Sequence, residues 1–208
     1  MENTHKKQLL IIPVLIAVLV GALLIFQKPD NESEPNASTS MYKKPLTKFN
    51  EREKLLTFGL FVTPNPDQNP IDPPERFTGY HTALDIETFE DEIDKDVEVK
   101  SICDGSVLEA KTADGYGGVL IHTCQINGED VTILYGHLNP TSFTKKIGDA
   151  VKRGDKLGVL GKEMSAESGN TRKHLHLGIH KGPEIVLLGY VQSQEELQNY
   201  IDPAPLFE

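Results

Sequence analysis

Lys173-His174-Leu175-His176-Leu177-Gly178-Ile179-His180 is the stretch whose reading decides the fold, and the other informative segments are its supports. As a strand it sends Leu175, Leu177 and Ile179 to one face and His174, His176 and His180 to the other, because side chains alternate with a period of two. One face is core and the other is imidazole. Stacked imidazoles lose hydration and add little packing, so the pattern points to a metal or proton-transfer site. An isolated HxH pair is equally the polar face of a half-exposed strand, since motifs this short recur by chance. The pair needs partners from elsewhere in the chain.

The first partner is Tyr80-His81-Thr82-Ala83-Leu84-Asp85-Ile86, where a histidine and a carboxylate lie an even spacing apart and share one face of an extended segment. A His, an Asp and a second His form a three-ligand set suited to Zn²⁺, with a fourth position left for water. The second is Ile133-Leu134-Tyr135-Gly136-His137-Leu138, with a histidine closing an apolar run.

Together these segments, HxxxD at His81 and Asp85, YGHL around His137 and HLH at His174 to His176, resemble the M23 (LytM/lysostaphin-type) zinc metalloendopeptidases. The connecting segments Val99 to Val107, Gly115 to Ile121, Gly148 to Asp155 and Ile201-Asp202-Pro203 resemble that family in the same order, so the likeness runs from Phe58 to Pro203. The resemblance implies that His81, Asp85 and His176 hold zinc and that His137 and His174 are an unligated catalytic pair. It also implies an activity: hydrolysis of peptide bonds in peptidoglycan cross-links or stems by metal-activated water, the His pair serving as general base and oxyanion stabiliser. Some relatives of this fold lack the ligands and serve as non-catalytic cell-wall-binding or amidase-activating modules; this chain keeps the whole set. Two departures stand out, Ala83 at a frequent Gly position and Arg172-Lys173 in place of a small Gly-Pro. Neither removes a ligand, and both change the cleft wall.

The residues between the motifs give the same fold class independently. Short β-branched and apolar runs recur at Phe58 to Val62, Val97 to Ile102, Ser106 to Lys111, Val119 to Gln125, Val131 to Tyr135, Leu157 to Gly161 and His174 to His180, separated by Gly, Asp and Asn turns. Asn127-Gly128 between two such runs is a hairpin signal. With no long amphipathic helix, the expectation is an all-β domain of mainly antiparallel strands. Glu51 to Leu56 reads as a brief helical turn, Pro64 to Pro74 as irregular chain, and the acids from Glu87 to Asp96 as a solvated loop. His122, in an apolar strand, reads as a structural histidine, and His180 lies two residues beyond the expected ligand. Cys103 and Cys124 are the only cysteines. Either a disulfide or two buried thiols fits them, and without a CxxC spacing they are not expected to bind zinc.

Composition narrows the partners. A formal net charge of −10 argues against nucleic acid, whose phosphates it would repel. The absence of Trp argues against an aromatic sugar-stacking platform, which leaves the peptide part of a wall polymer to be gripped. Leu9 to Phe26 is 18 residues without a charge, long enough to cross roughly 27 Å of hydrocarbon. Lys6 and Lys7 before it and Asp30, Glu32 and Glu34 after it favour a cytoplasmic N-terminus. The expected plan is a cytoplasmic start (1–8), a single transmembrane signal anchor (9–27), a flexible extracytoplasmic linker (28–55) and the peptidase-like domain (56–208). The competing reading is secretion after cleavage near Val20-Gly21-Ala22; the apolar run continues through Leu23 to Phe26, where a cleavage region turns polar, which favours the anchor.

Overall fold

The computed structural model describes residues 41–72 and 75–208. The expected anchor at 9–27 and the first part of the linker, 28–40, lie outside them. Among the described residues no helix is long and apolar enough to cross a membrane.

The described chain is built from short antiparallel strands: β1 (Phe61–Val62), β2 (Gly79–His81), β3 (Ala83–Glu87), β4 (Glu98–Lys100), β5 (Gly105–Ala113), β6 (Gly117–Ile126), β7 (Glu129–Leu138), β8 (Ala150–Val151), β9 (Lys156–Val159), β10 (His174–Lys181) and β11 (Tyr190–Val191). The main sheet has the order β3-β10-β7-β6-β5-β8, flanked by a three-stranded sheet β1-β2-β11 and the pair β4-β9. The α-helical content is one turn, Gln194–Leu197, so the all-β expectation is met. Asn127 (φ 53°) and Gly128 (φ 84°) close the β6–β7 hairpin in the left-handed region that Asn-Gly tolerates. The expected strand at 58–62 shrinks to Phe61–Val62, and the helical turn falls earlier, as a 3-10 turn at Phe49–Glu51.

The main sheet has two unlike faces. Leu84 and Ile86 of β3, Leu175, Leu177 and Ile179 of β10, Val131, Ile133 and Tyr135 of β7 and Leu120, Cys124 and Ile126 of β6 share one large core. On the opposite face Tyr116, Val119, Ile121 and Leu134 form a second, smaller cluster, and Asp85, His174 and His176 share that face by parity. Burying the core side chains stabilises the fold by roughly 1.5–3 kcal/mol each, so the register that sends leucine inward also fixes where the imidazoles go.

Register does the rest. β10 pairs with β3 so that His176 lies opposite Asp85 and His174 opposite Glu87, and with β7 so that His176 lies opposite Gly136. β7 breaks its alternation at this point: between two paired positions β6 advances from Gly118 to Leu120 while β7 runs from Leu138 back to Tyr135, one residue more. This bulge, with His137 at φ 61°, re-aims the His137 side chain away from the core.

The segment from Met41 to Leu60, expected in large part as flexible linker, is packed. Tyr42, Leu46 and Phe49 enter the main core, and the edge of β3 is covered by chain whose Glu53 and Leu56 carbonyls accept the Glu87 and Asp85 N–H groups at 3.0 and 2.9 Å. Covering an edge strand satisfies its backbone groups, and here it also secures the strand carrying Asp85. The acidic loop is less solvated than expected: Glu92 takes both Arg52 guanidinium nitrogens at 2.6 and 2.8 Å. Cys103 and Cys124 form a disulfide.

Candidate metal centre

Three donor atoms converge where β2, β3 and β10 meet. His81 Nε2 lies 3.2 Å from His176 Nδ1 and 3.3 Å from Asp85 Oδ1, and His176 Nδ1 lies 3.0 Å from the same oxygen. Donors bound to a tetrahedral zinc at about 2.0–2.1 Å would stand about 3.3–3.4 Å from one another, so this triangle has the size of one face of a zinc coordination shell. His81, Asp85 and His176 are all buried and within reach of a single ion. Two histidines and one carboxylate are a donor set that zinc accepts while leaving a further position open.

Each imidazole in the cluster has one nitrogen fixed by a protein group. His81 Nδ1–H donates to the Thr57 carbonyl at 3.3 Å, His174 Nδ1–H to the Arg172 carbonyl at 3.0 Å and His137 Nδ1–H to the Ser168 carbonyl at 2.8 Å. His176 is turned the other way, its Nε2 lying 3.4 Å from the Tyr116 hydroxyl and its Nδ1 facing the triangle. Such anchoring sets both tautomer and ring direction. It leaves Nε2 of His81 and His137 and Nδ1 of His176 for chemistry, while His174 Nε2 lies 3.2 Å from Asp85 Oδ2.

The sequence-chosen residues therefore come together as one group. The His137 and His174 rings lie with centroids 4.4 Å apart, tilted by 41°, and His137 meets His176 at 5.9 Å. Gly136 makes this possible: a Cβ there would lie 2.6 Å from Tyr116 Cδ1 and 3.2 Å from His176 Cβ. Burial holds His176 down to about 4, helped by the neighbouring His81 and His174 charges and opposed by Asp85. Burial, followed by the His174 and His176 charges, also keeps His137 well below the usual imidazole range. Both are neutral at pH 7, the state that can ligate a metal or accept a proton. Burial alone would raise Asp85, but the His174 and His81 charges and the hydrogen bonds from His174 and His176 bring it well below the usual carboxylate range.

The cluster lies in a cleft of about 550 Å³ whose walls include Tyr116, Arg172, Leu188 and Tyr190. Sequence reasoning passed over both tyrosines. Tyr190 pairs with His81 through β11 and β2, with its ring 5.3 Å from the imidazole. The only sequence signal for Tyr116 is its place among glycines in Gly115-Tyr116-Gly117-Gly118, which reads as a turn. His122 and His180 are not among the residues lining this cleft.

Residues 79–188 match the profile described as Peptidase family M23. Endolysin 2638A of Staphylococcus phage 2638A is 30% identical over 113 residues, 54% of this chain and 21% of the phage protein, so the match spans about a fifth of that relative. Among solved structures, a chain of the SpoIIQ-SpoIIIAH pore forming complex shares the fold with a TM-score of 0.52 and 16% identity, over 81% of this chain and 92% of that one. Lysostaphin, in an NMR solution structure, aligns with a TM-score of 0.48 and 23% identity, over 76% of this chain and 50% of its own.

Proposed function

Since the chain belongs to peptidase family M23, we propose that it is a zinc metalloendopeptidase that cuts peptide bonds in peptidoglycan cross-links or stems. The observation that carries this reading is the triangle of His81 Nε2, Asp85 Oδ1 and His176 Nδ1, with edges of 3.0 to 3.3 Å, beside two further imidazoles. A bound Zn²⁺ supplies Lewis acidity toward a scissile carbonyl and toward water. His137 and His174 supply proton transfer. With Nδ1 of each held by a backbone carbonyl, Nε2 is the atom at which a proton is taken from water and passed to the leaving amine, directly in His137 and, in His174, once its 3.2 Å contact with Asp85 Oδ2 is given up. The same N–H, once protonated, donates to charge developing on the carbonyl oxygen. A purely wall-binding or amidase-activating module has no use for the donor triangle, and the catalytic reading is preferred on that ground.

The test is to incubate the full chain, purified in detergent, with purified sacculi and to identify released fragments by mass spectrometry. New peptide termini that vanish with a chelator and return with Zn²⁺ are expected; sacculi left intact by the zinc-loaded protein would sink the peptidoglycan assignment. We further propose, from the uncharged run at 9–27, that the chain is anchored with its N-terminus in the cytoplasm and the peptidase domain outside. Protease added to intact cells should then release the domain, and complete protection would reject that topology. A mature N-terminus just after the Val20-Gly21-Ala22 region would replace the anchor with secretion.

A further inference from the structure

Arg172 is the departure in the HLH segment that the proposed chemistry leaves without a task, and it is built into the metal centre. Its Nη2 donates to Asp85 Oδ2 at 2.7 Å, while Nε and Nη2 grip both oxygens of Glu87 at 3.0 to 3.1 Å. The side chain is only 17% exposed, and Glu75 approaches its other nitrogen at 4.0 Å. The two carboxylates are brought to it by register: Asp85 and Glu87 share a face of β3, and Glu87 lies opposite His174, two residues beyond Arg172. Asp85 thus divides its oxygens. Oδ1 belongs to the triangle with His81 and His176, and Oδ2 is occupied by Arg172 and, at 3.2 Å, by His174 Nε2.

We propose that Arg172, anchored by Glu87, is a positioning residue that fixes the Asp85 carboxylate so that only Oδ1 is offered to the metal. This rests on the zinc reading above. A carboxylate without that restraint can rotate about its terminal torsion or present both oxygens, and either changes the geometry of the site. The planar fork of arginine spans two carboxylates at once; a lysine ammonium, a point charge on a flexible stem, cannot hold both in the same fixed relation.

The test uses the full chain and two readouts independent of catalysis: zinc affinity by competition with a chromophoric chelator, and the visible absorption of the Co²⁺-substituted protein, which reports ligand number and geometry. Arg172→Ala should weaken zinc by about 10- to 100-fold, the usual effect of losing a group that orients a ligand, and should lower the cobalt absorption as a second oxygen joins the ligands. Arg172→Lys should recover part of both, and Glu87→Gln should fall between it and wild type. Should Arg172→Ala not fold, Arg172→Gln, which keeps one N–H donor without the charge, carries the same comparison. Wild-type affinity with an unchanged cobalt spectrum in the Ala or Gln variant would make Arg172 merely structural and overturn the proposal. Tighter zinc binding would overturn it as well, in favour of simple charge repulsion. A wild-type chain that binds no zinc would instead bring down the metal reading itself, so the two failures are distinguishable.

Discussion

The main sheet buries imidazole on both of its faces, and the two faces use it differently. On the core face, His122 donates from Nδ1 to the Thr123 carbonyl at 2.7 Å and accepts at Nε2 from the Tyr135 hydroxyl at 3.0 Å, whose oxygen in turn accepts the Ile102 N–H. Every polar atom in that chain has a protein partner. On the opposite face His81, His137, His174 and His176 each have one nitrogen tied to a carbonyl or hydroxyl, while the other faces a shared centre. Burial alone does not separate them, since His81 and His122 are equally inaccessible. What marks a site is the nitrogen that the fold leaves for something else.

The sharpest way to break this comparison is to remove a member of the triangle. Asp85→Ala or His176→Ala should abolish stoichiometric zinc in elemental analysis and with it all measurable peptide-bond cleavage, because neither an activated water nor a polarised carbonyl survives loss of the ion. Full zinc in either variant would move the ligand set elsewhere. Next come the two imidazoles outside the triangle. His174→Ala and His137→Ala should keep zinc and fold but lose about 10²- to 10⁴-fold in rate. The double variant should be only slightly worse than either single one, since residues acting as a unit are not additive. Zinc lost from His174→Ala but retained by His176→Ala would reverse the assignment within β10.

On the core face the expected outcome is inverted. His122→Ala should leave zinc stoichiometry unchanged and cost about 1–3 kcal/mol of stability, the penalty of stranding the Tyr135 hydroxyl and Thr123 carbonyl. Burial holds His122 at about 4, against 6.5 for an unperturbed imidazole. The unfolded chain therefore takes up a proton that the native state refuses, so stability is fully present above pH 6.5 and is lost as pH falls toward 4. At pH 5 this one group accounts for on the order of 2 kcal/mol. Thermal unfolding of the metal-free protein between pH 7 and pH 5 should show a shallower decline in His122→Ala than in wild type. Identical slopes would mean that His122 does not titrate as its burial requires.

Much of this division was legible in the residues. Alternation in Leu175-His176-Leu177 separates core from site before any coordinates, and the strand–turn pattern around Asn127-Gly128 yields the hairpin. What could not be read depends on register shifts and long-range approach. Strict alternation from Tyr135 sends His137 into the core; one extra residue in β7 re-aims it, and no local residue type announces that insertion. Arg172 reads as a changed cleft wall because its partners Asp85 and Glu87 lie more than eighty positions away. The packing of Tyr42, Leu46 and Phe49 is hidden by a composition that, taken locally, reads as linker, and nothing local marks the Thr57 carbonyl as the acceptor for His81, twenty-four positions away.

The smallest effect is expected at His180, the residue for which alternation gave the wrong company. It shares parity with His174 and His176, yet lies beyond the converging donors: β10 there runs opposite Thr132 of β7, and the imidazole meets the Tyr200 ring edge-on at 5.0 Å. Its Nδ1 is buried with no hydrogen-bond partner, which resembles the availability of the site nitrogens but lacks their convergence, since His180 is absent from the group able to share an ion. Replacing it with leucine removes an unsatisfied polar atom and gives up an aromatic contact, two changes of similar size and opposite sign. The backbone bridge to Tyr200 does not depend on the side chain. His180→Leu should therefore keep zinc and cleavage at wild-type levels and shift stability by no more than about 0.5–1 kcal/mol in either direction. A loss of zinc there would show that an unpartnered nitrogen suffices to mark a ligand, and that convergence on a shared centre, on which the distinction between the two faces rests, is the wrong criterion.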